Sequence, residues 1–346
     1  RVFLTGHTGF KGGWTARWLH LLGARVCGYS LEPITEPSMF VEAKVADVCE
    51  RSTIADIRDT GRLEAEMADY NPDVVLHYAA QPIVRTSYRE PVETFSVNVM
   101  GTIHVMEAIR KLDHTPICII VTSDKCYENP NDGVPLAENA PMGGADPYSA
   151  SKGACEIAVS SWLRSFFSSE NSAIVATGRA GNVIGGGDWA DMRLLPDAMK
   201  AFSAGRELEI RSPKATRPWQ HVLEPISGYL LLVEQLANGS TCERHFNFGP
   251  YPDQIIPVSK VAEIAVESWG KPAAVKISTS GQDWEEAVEL VLDISLAEKQ
   301  LGWTPRLTTK DAIEWTVEWW KAYLDAPEVI GDVTDRQISA FSGIPT

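Results

Sequence analysis

The sequence predicts an α/β fold in which a doubly wound parallel sheet carries a smaller, discontinuous α/β lobe. Three observations lead there. Over the first two thirds of the chain, short apolar runs alternate with helical stretches, the pattern of successive βαβ units. A glycine cluster, Gly6-His7-Thr8-Gly9-Phe10-Lys11-Gly12, stands between the first apolar run and the first helical stretch. After Asn182 the alternation weakens: Gly185-Gly186-Gly187 opens a loop, and shorter elements follow.

The strands read as Val2–Thr5, Arg25–Tyr29, Val74–Tyr78, Ile117–Thr122, Ile174–Arg179 and His245–Phe248. Near-continuous apolar runs of this kind belong to parallel strands covered on both faces. The first helix spans Gly12–Leu22 and is ended by Gly23, with Trp14, Trp18 and Leu21 recurring at helical spacing on a buried face. A second long helix covers Ser96–Lys111. Pro196–Gly205 reads as a helix on new ground, and Leu223–Leu236 as a return to the first lobe. From Pro257 onward, short helices and strands finish the smaller lobe. There Trp315, Trp319 and Tyr323, around Ile313 and Trp320, form a buried helix face. The tail beyond about Pro327 shows no periodicity and is expected to wrap the surface.

A chain of 346 residues, 44% apolar and 22% charged, suits an ordinary globular protein long enough for two lobes. No window approaches the roughly 18 uninterrupted apolar residues of a spanning helix. A strand at the very start leaves no room for a signal peptide. The net charge of −15 argues against nucleic acid or an anionic membrane as the main partner. An anionic nucleotide remains acceptable, because helix N-termini and a few arginines can hold it locally. The cysteines (Cys27, Cys49, Cys118, Cys126, Cys155, Cys242) are scattered, without Cys-x2-Cys or Cys/His clusters, which points to a reduced cytoplasmic protein with no bound metal. Cys126 reads as a packing residue, and Glu285-Glu286 with the acids nearby as a solvated face.

The glycine cluster allows a backbone approach to a pyrophosphate seated at the positive end of the following helix, as in Rossmann-type dinucleotide sites. Tyr148 and Lys152 are four apart, so on a helix both face one cleft. A free phenol titrates near about 10, and a neighbouring ammonium favours the phenolate. The pair thus offers a base for a sugar or alcohol hydroxyl.

The spacing Gly-x2-Gly-x2-Gly, and the order of the segments behind it, resembles the extended short-chain dehydrogenase/reductase family over nearly the whole chain. Asp56-Ile57-Arg58-Asp59 is similar to the acidic segment after the third strand, where the first Asp meets the adenine. Tyr78-Ala79-Ala80-Gln81 is similar to the segment closing the fourth strand, where small residues let the cofactor lie close. Asn98 stands at the helix-kinking Asn position. The resemblance implies a cofactor site of Gly6, Thr8, Gly9, Phe10, Lys11, Gly12, Ser30, Asp56, Ile57, Tyr78, Ala79, Ala80, Gln81, Tyr148 and Lys152. At the end of the second strand, where the family usually has an acid for the adenosine ribose, this chain has Ser30, with Glu32 two further on. No Arg or Lys lies between Tyr29 and Met39 to take a 2′-phosphate, which favours NAD over NADP. The lobes then divide as 1–181 with 222–250 for NAD, and 182–221 with 251–346 for substrate.

Ser123-Asp124-Lys125 follows the strand Ile117–Thr122, at the carboxyl end where ligands collect in open α/β sheets. The family places Ser or Thr at the first position, on the substrate's 4-hydroxyl. An acid and a base behind it resemble the sugar-nucleotide 4,6-dehydratases. The Asp124-Lys125 pair, with Cys126-Tyr127-Glu128-Asn129 behind it, resembles the branch acting on CDP-glucose. So do Gly181 to Trp189 and Arg217-Pro218-Trp219-Gln220-His221-Val222. The implied reaction is C4 oxidation, elimination of water across C5–C6 and hydride return to C6, with NAD tightly held and regenerated. Lys125 serves either as the C5 base or as a charged stabiliser of the enolate.

For the substrate, the resemblance offers Gln81 and Asn182, which in relatives reaches the nucleotide diphosphate. Arg193 and Arg217 are the bidentate candidates for that diphosphate. His221 is either a lining residue of the second lobe or a structural histidine. Relatives imply a homodimer or dimer of dimers through the helices near Ser96–Lys111 and Tyr148–Ser161. An epimerase or reductase of the same fold would keep Tyr148 and Lys152 but has no need of Asp124 with Lys125. A non-catalytic NAD sensor has no need of the Tyr–Lys pair.

Overall fold

The computed structural model describes residues 1–169, 171–277 and 290–344, so Glu285-Glu286 lies outside the described residues. Its centre is a seven-stranded sheet of β1 (Val2–Thr5), β2 (Val26–Ser30), β3 (Arg51–Ile54), β4 (Val74–His77), β5 (Ile117–Val121), β6 (Ile174–Ala180) and, later in the chain, β11 (His245–Phe248). The strand order is β11-β6-β5-β4-β1-β2-β3, and every pairing is parallel. The six apolar runs are all strands of this sheet, five of them internal and β11 at one edge. The seventh strand, β3, is the opposite edge, Arg51-Ser52-Thr53-Ile54, with its first two residues exposed. Covered less than the others, it carries no apolar run to betray it.

Alternation along the strands feeds two cores. Phe3, Cys27, Tyr29, Val75, Cys118, Ile120 and Val175 point to the side of helices Thr60–Tyr70, Gly101–Arg110 and Pro147–Ser165. Val2, Leu4, Val26, Leu76, Ile119 and Ala176 point to the other side, toward helices Phe10–Leu21 and Leu223–Ala237 and the smaller elements.

Those smaller elements include β7 (Val183–Ile184), β8 (Leu208–Ile210), β9 (Thr216–Arg217), β10 (Gln220–His221), β12 (Ile256–Pro257) and β13 (Val275–Ile277). They pair as β7 with β10 and β8 with β13 in parallel, and β9 with β12 antiparallel. Helices Leu194–Ser203, Val258–Trp269 and Thr309–Asp325 pack among them, the last started by a capping box between Thr308 and Asp311. Trp319 and Trp320 are buried on its inner face.

Two expectations change. The helix from Ser96 is not uniform: Pro91–Phe95 is α, Ser96–Met100 widens to a π turn, and Gly101–Arg110 is α again. Asn98 causes this, since its buried amide donates to the Gln81 carbonyl (3.2 Å) and Ser151 Oγ (2.9 Å) and accepts from Gln81 N (2.8 Å). The tail does not merely wrap the surface. Ile330–Ser342 is a helix that buries Ile330, Val333, Ile338 and Phe341. It packs on the first helix through Phe341 against Trp18 and Asp335 on the Arg17 guanidinium. Its apolar stripe is interrupted by Gly331, Thr334 and Gln337, which hid the period. Among the described residues no helix is long and apolar enough to cross a membrane.

Candidate active site

β1 lies between β2 and β4, so consecutive connections leave it in opposite directions and a cleft opens at the carboxyl ends. Gly6 holds φ +78° there, and a Cβ on it would lie 2.8 Å from the Ala79 nitrogen. Only glycine lets the two strand ends close up. Helix Phe10–Leu21 starts at Gly9 with no side-chain cap and no acid in its first turn, which leaves its positive end for an anion. At the mouth, Thr8 Oγ1 donates to the Leu31 carbonyl and accepts from Ser30 Oγ, both at 2.8 Å. His7 turns inward beneath Gly28 and bonds Ser52 Oγ at 2.8 Å; burial lowers it to about 4.

The side chains behind this loop are less free than their motifs imply. Arg58 holds the Asp56 carboxyl below the usual carboxylate range, and the Ile57 side chain turns inward against Gly101. Tyr78 N and Ala79 N both donate to Thr5 Oγ1 at 3.1 Å, while Ala80 stays partly open. Gln81 is expected to touch cofactor and substrate, but both ends of its side chain are used internally. Nε2 donates to Thr94 Oγ1 (2.9 Å), and Oε1 accepts from Ile83 N (2.6 Å), shaping the entry to helix Val84–Arg89.

β5 delivers Ser123 in extended backbone, and Asp124–Cys126 then makes one 3-10 turn. Ser123 Oγ accepts from Lys125 N (3.2 Å) and donates to Asp124 Oδ1 (2.9 Å). Asp124 is 4% exposed. Burial raises its carboxyl above the ordinary range, against the pull of Lys125, the Ser123 bond and Arg217. Cys126 is buried in the core, and burial raises its thiol, as befits a packing residue.

Helix Pro147–Ser165 begins on an Asp146 cap, with Asp146 Oδ1 accepting from Ser149 N at 3.0 Å, and carries Tyr148 and Lys152 into the same cleft. The phenol does not behave as the Tyr-x3-Lys spacing implies. Burial pushes it up to about 12, with Asp124 adding to the rise, while a hydrogen bond with Ser123 and the charge of Arg193 pull it down. The buried Lys152 ammonium lies 3.4 Å from the Val121 carbonyl and is itself lowered by burial.

Arg193 stands before helix Leu194–Ser203 and pairs with Asp188 at 2.8 Å. Its charge is felt at Tyr148 and at Lys11, so it borders the same cleft. Lys11 reaches that cleft too, a position its place in the glycine loop did not announce. Burial, Lys152 and Arg193 lower its ammonium to about 7 against the pull of Asp124. Asn182 sits just past β6 with its carbonyl accepting from Gln220 N at 3.2 Å. Arg217, on β9, donates to the Thr216 carbonyl and faces Asp124 electrostatically. His221 is corrected to the structural alternative: it is fully buried between the rings of Trp14 and Trp315, and burial lowers it to about 3.

The fold thus gathers Ser123, Asp124, Lys125, Tyr148 and Lys152 from two elements, with Lys11, Arg193 and Arg217 around them. A hydroxyl–phenol pair beside a buried acid and several ammonium groups can take a proton from one carbon's hydroxyl and give one to a leaving hydroxyl.

A family profile described as GDP-mannose 4,6 dehydratase matches residues 3–316. The chain is 42% identical to a CDP-glucose 4,6-dehydratase of Salmonella typhimurium, over 100% of this chain and 97% of that one. A dTDP-glucose 4,6-dehydratase of Neisseria meningitidis is 25% identical over 94% and 93% of the two chains. Among solved structures, a UDP-glucose 4-epimerase of Thermotoga maritima superposes with a TM-score of 0.81 at 20% identity, covering 93% of this chain and 99% of that one. A UDP-glucose-4-epimerase of Stenotrophomonas maltophila, with bound NAD and a formylated UDP-arabinopyranose, gives 0.79 at 22%, covering 94% and 99%. These superpositions place the fold.

Proposed function

The chain belongs to the GDP-mannose 4,6-dehydratase family of nucleotide-sugar dehydratases, and from that premise we propose that it converts CDP-glucose to CDP-4-keto-6-deoxyglucose and water. The observation that carries this reading is the buried, burial-raised Asp124 carboxyl beside Lys125, on the turn that also presents Ser123 to Tyr148. An epimerase has no use for such an acid. The CDP-glucose relative, 42% identical over the full chain, supports the choice of nucleotide.

The residues present fit NAD. The uncapped, acid-free helix start at Gly9 suits the pyrophosphate, and Ser30 and Asp56 are assigned to the adenosine. When bound, NAD supplies the hydride acceptor for C4 and the donor for C6, so the cycle is redox-neutral. Tyr148, with Ser123, takes the proton of the 4-hydroxyl, and the Ser123 hydrogen bond and the Arg193 charge work against the rise that burial gives the phenol. The 4-ketone acidifies the C5 hydrogen. Lys125 removes that proton, or holds the enolate as a charged amine while another group takes the proton; protonated Asp124 donates to the 6-hydroxyl, which departs as water, and a proton returns to C5 as C6 receives its hydride. Lobe 1–181 with 222–250 takes NAD, and lobe 182–221 with 251–346 takes the nucleotide sugar. Asn182 and Arg217 are assigned to the diphosphate, while Arg193, committed to Asp188, acts on Tyr148.

Val92 (82% exposed), Phe95, Met100 and Ile157 (61% exposed) leave an apolar face on adjoining helices, which supports a homodimer through that face. The six free cysteines fit a reducing compartment, the cytoplasm. The test is mass spectrometry of the protein incubated separately with CDP-glucose, dTDP-glucose and GDP-mannose, with and without NAD. Loss of one water from CDP-glucose alone is expected. Loss from another sugar nucleotide would overturn the specificity, and no loss from any, with NAD present, would overturn the reaction.

A further inference from the structure

Tyr148, Lys152 and Glu156 form one inward stripe, each a helical turn apart on Pro147–Ser165. The first two belong to the site already described. Glu156 is 1% exposed and spends both carboxylate oxygens on other elements. Oε1 accepts from Thr122 Oγ1, on the residue that leads into Ser123-Asp124-Lys125. Oε2 accepts from Thr177 Oγ1 (3.0 Å) and from Arg179 Nη2 (2.7 Å), both on β6. Burial pushes the Glu156 carboxyl up, but Arg179 and His245 outweigh it and hold it well below the usual range.

Arg179 then reaches the other end of the same turn. Its Nη1 donates to Tyr127 Oη (2.6 Å) and to the Glu138 carbonyl (2.9 Å), and its guanidinium lies over the Tyr127 ring. Tyr127 Oη donates in turn to Asn247 Oδ1 at 2.7 Å on β11. The turn Asp124–Cys126 is therefore gripped just before its start and just past its end by one buried ion pair. One partner of that pair grows from the helix that carries Tyr148 and Lys152. Two rigid elements supply the two halves of the site, and this pair connects them.

We infer that Glu156 and Arg179 are positioning residues for the elimination, setting the register of Asp124 and Lys125 against Tyr148. The inference rests on the dehydratase reading. A carboxylate and guanidinium bonded to four elements fix a geometry more tightly than apolar packing of the same volume, because each bond is directional. Misplacing reacting groups by about 1 Å can cost on the order of 100-fold in rate.

The test compares wild type with Glu156→Gln and with the double variant Glu156→Gln, Arg179→Met, which leaves no unpaired buried charge. Turnover of CDP-glucose with NAD is followed together with absorbance of the reduced cofactor and hydrogen exchange of peptides covering 122–127 and 147–156. The expected result for the folded double variant is a kcat at least tenfold lower with KM within about twofold. Reduced cofactor accumulates, and exchange quickens in 122–127 while the central strands keep their protection. A double variant with wild-type kcat overturns the inference even if Glu156→Gln alone fails to fold, since the loss would then come from a stranded charge. If the wild type releases no water, the dehydratase reading fails, and the exchange data alone decide the positioning role: unchanged exchange in 122–127 refutes it.

Discussion

Gly181, one residue beyond β6, packs against the carboxylate of Asp124: a Cβ built on Gly181 would stand 2.6 Å from Asp124 Oδ2. Pro218 closes the same corner at 3.3 Å. The proposed acid thus sits in a slot whose wall is bare backbone, and neither neighbour is the flexible end of a long side chain. Gly181→Ala is therefore expected to displace Asp124 and lower kcat by about 10- to 100-fold, with KM for CDP-glucose little changed. Steady-state kinetics on the folded variant checks it, and an unchanged kcat would mean that Asp124 has room to move.

Asp124→Asn is expected to slow elimination more than C4 oxidation, because the amide keeps the shape but cannot donate the proton. Trapping of the 4-keto sugar before water loss reads the difference, and equal loss of both half-reactions would contradict the assigned role. The pH dependence follows from the same group. Burial raises its carboxyl, so the folded protein holds the proton to higher pH than a free Asp. Elimination is then favoured at low pH and falls as pH rises through that raised pKa. The asparagine variant is expected to lose this limb of the profile.

Glu224 gives a stability prediction away from the site. Its Oε1 accepts from Arg306 N (2.9 Å) and Leu307 N (2.7 Å), tying helix Leu223–Ala237 to the loop before the Thr309–Asp325 helix. Burial raises its carboxyl to about 7, against those two backbone bonds. A raised pKa means that the folded state binds the proton more tightly, so this contribution is complete below about pH 4.5 and is lost as pH rises toward and through 7. The span corresponds to an upper figure on the order of 3 kcal/mol. Urea unfolding of wild type and Glu224→Gln across pH 5 to 8 is expected to show the slope in wild type only.

Asp335→Ala is expected to destabilise the protein by on the order of 2–3 kcal/mol, because it strands a largely buried cation. Arg17 Nε and Nη2 reach the two Asp335 oxygens at 2.7 and 2.6 Å, and Nη1 donates to the Ala43 carbonyl. The C-terminal helix Ile330–Ser342 should loosen from the first helix. Chemical denaturation, with hydrogen exchange across 330–342, checks both points, and unchanged protection there would show that Phe341 and its neighbours hold the helix alone.

By itself the sequence determined the parallel sheet, the glycine turn and the chemical types at the site. Each is written locally: strands as apolar runs, helices as spacings of three and four, and Tyr148 with Lys152 as one turn of helix. It also carried the family, through the order of several short segments, and the profile and the full-length relative agree with it. Tertiary structure alone decided the rest. The edge strand β3 and the final helix gave no clear pattern, because one is polar at the sheet's rim and the other mixes Gly, Thr and Gln into its buried stripe. The direction of the Tyr148 shift, the commitment of Gln81 to Thr94 and Ile83, the burial of His221 between two tryptophans and the Arg193–Asp188 pair depend on what lies across the cleft or the core. Desolvation and ion pairing are set by neighbours brought from distant parts of the chain, and no local period encodes them.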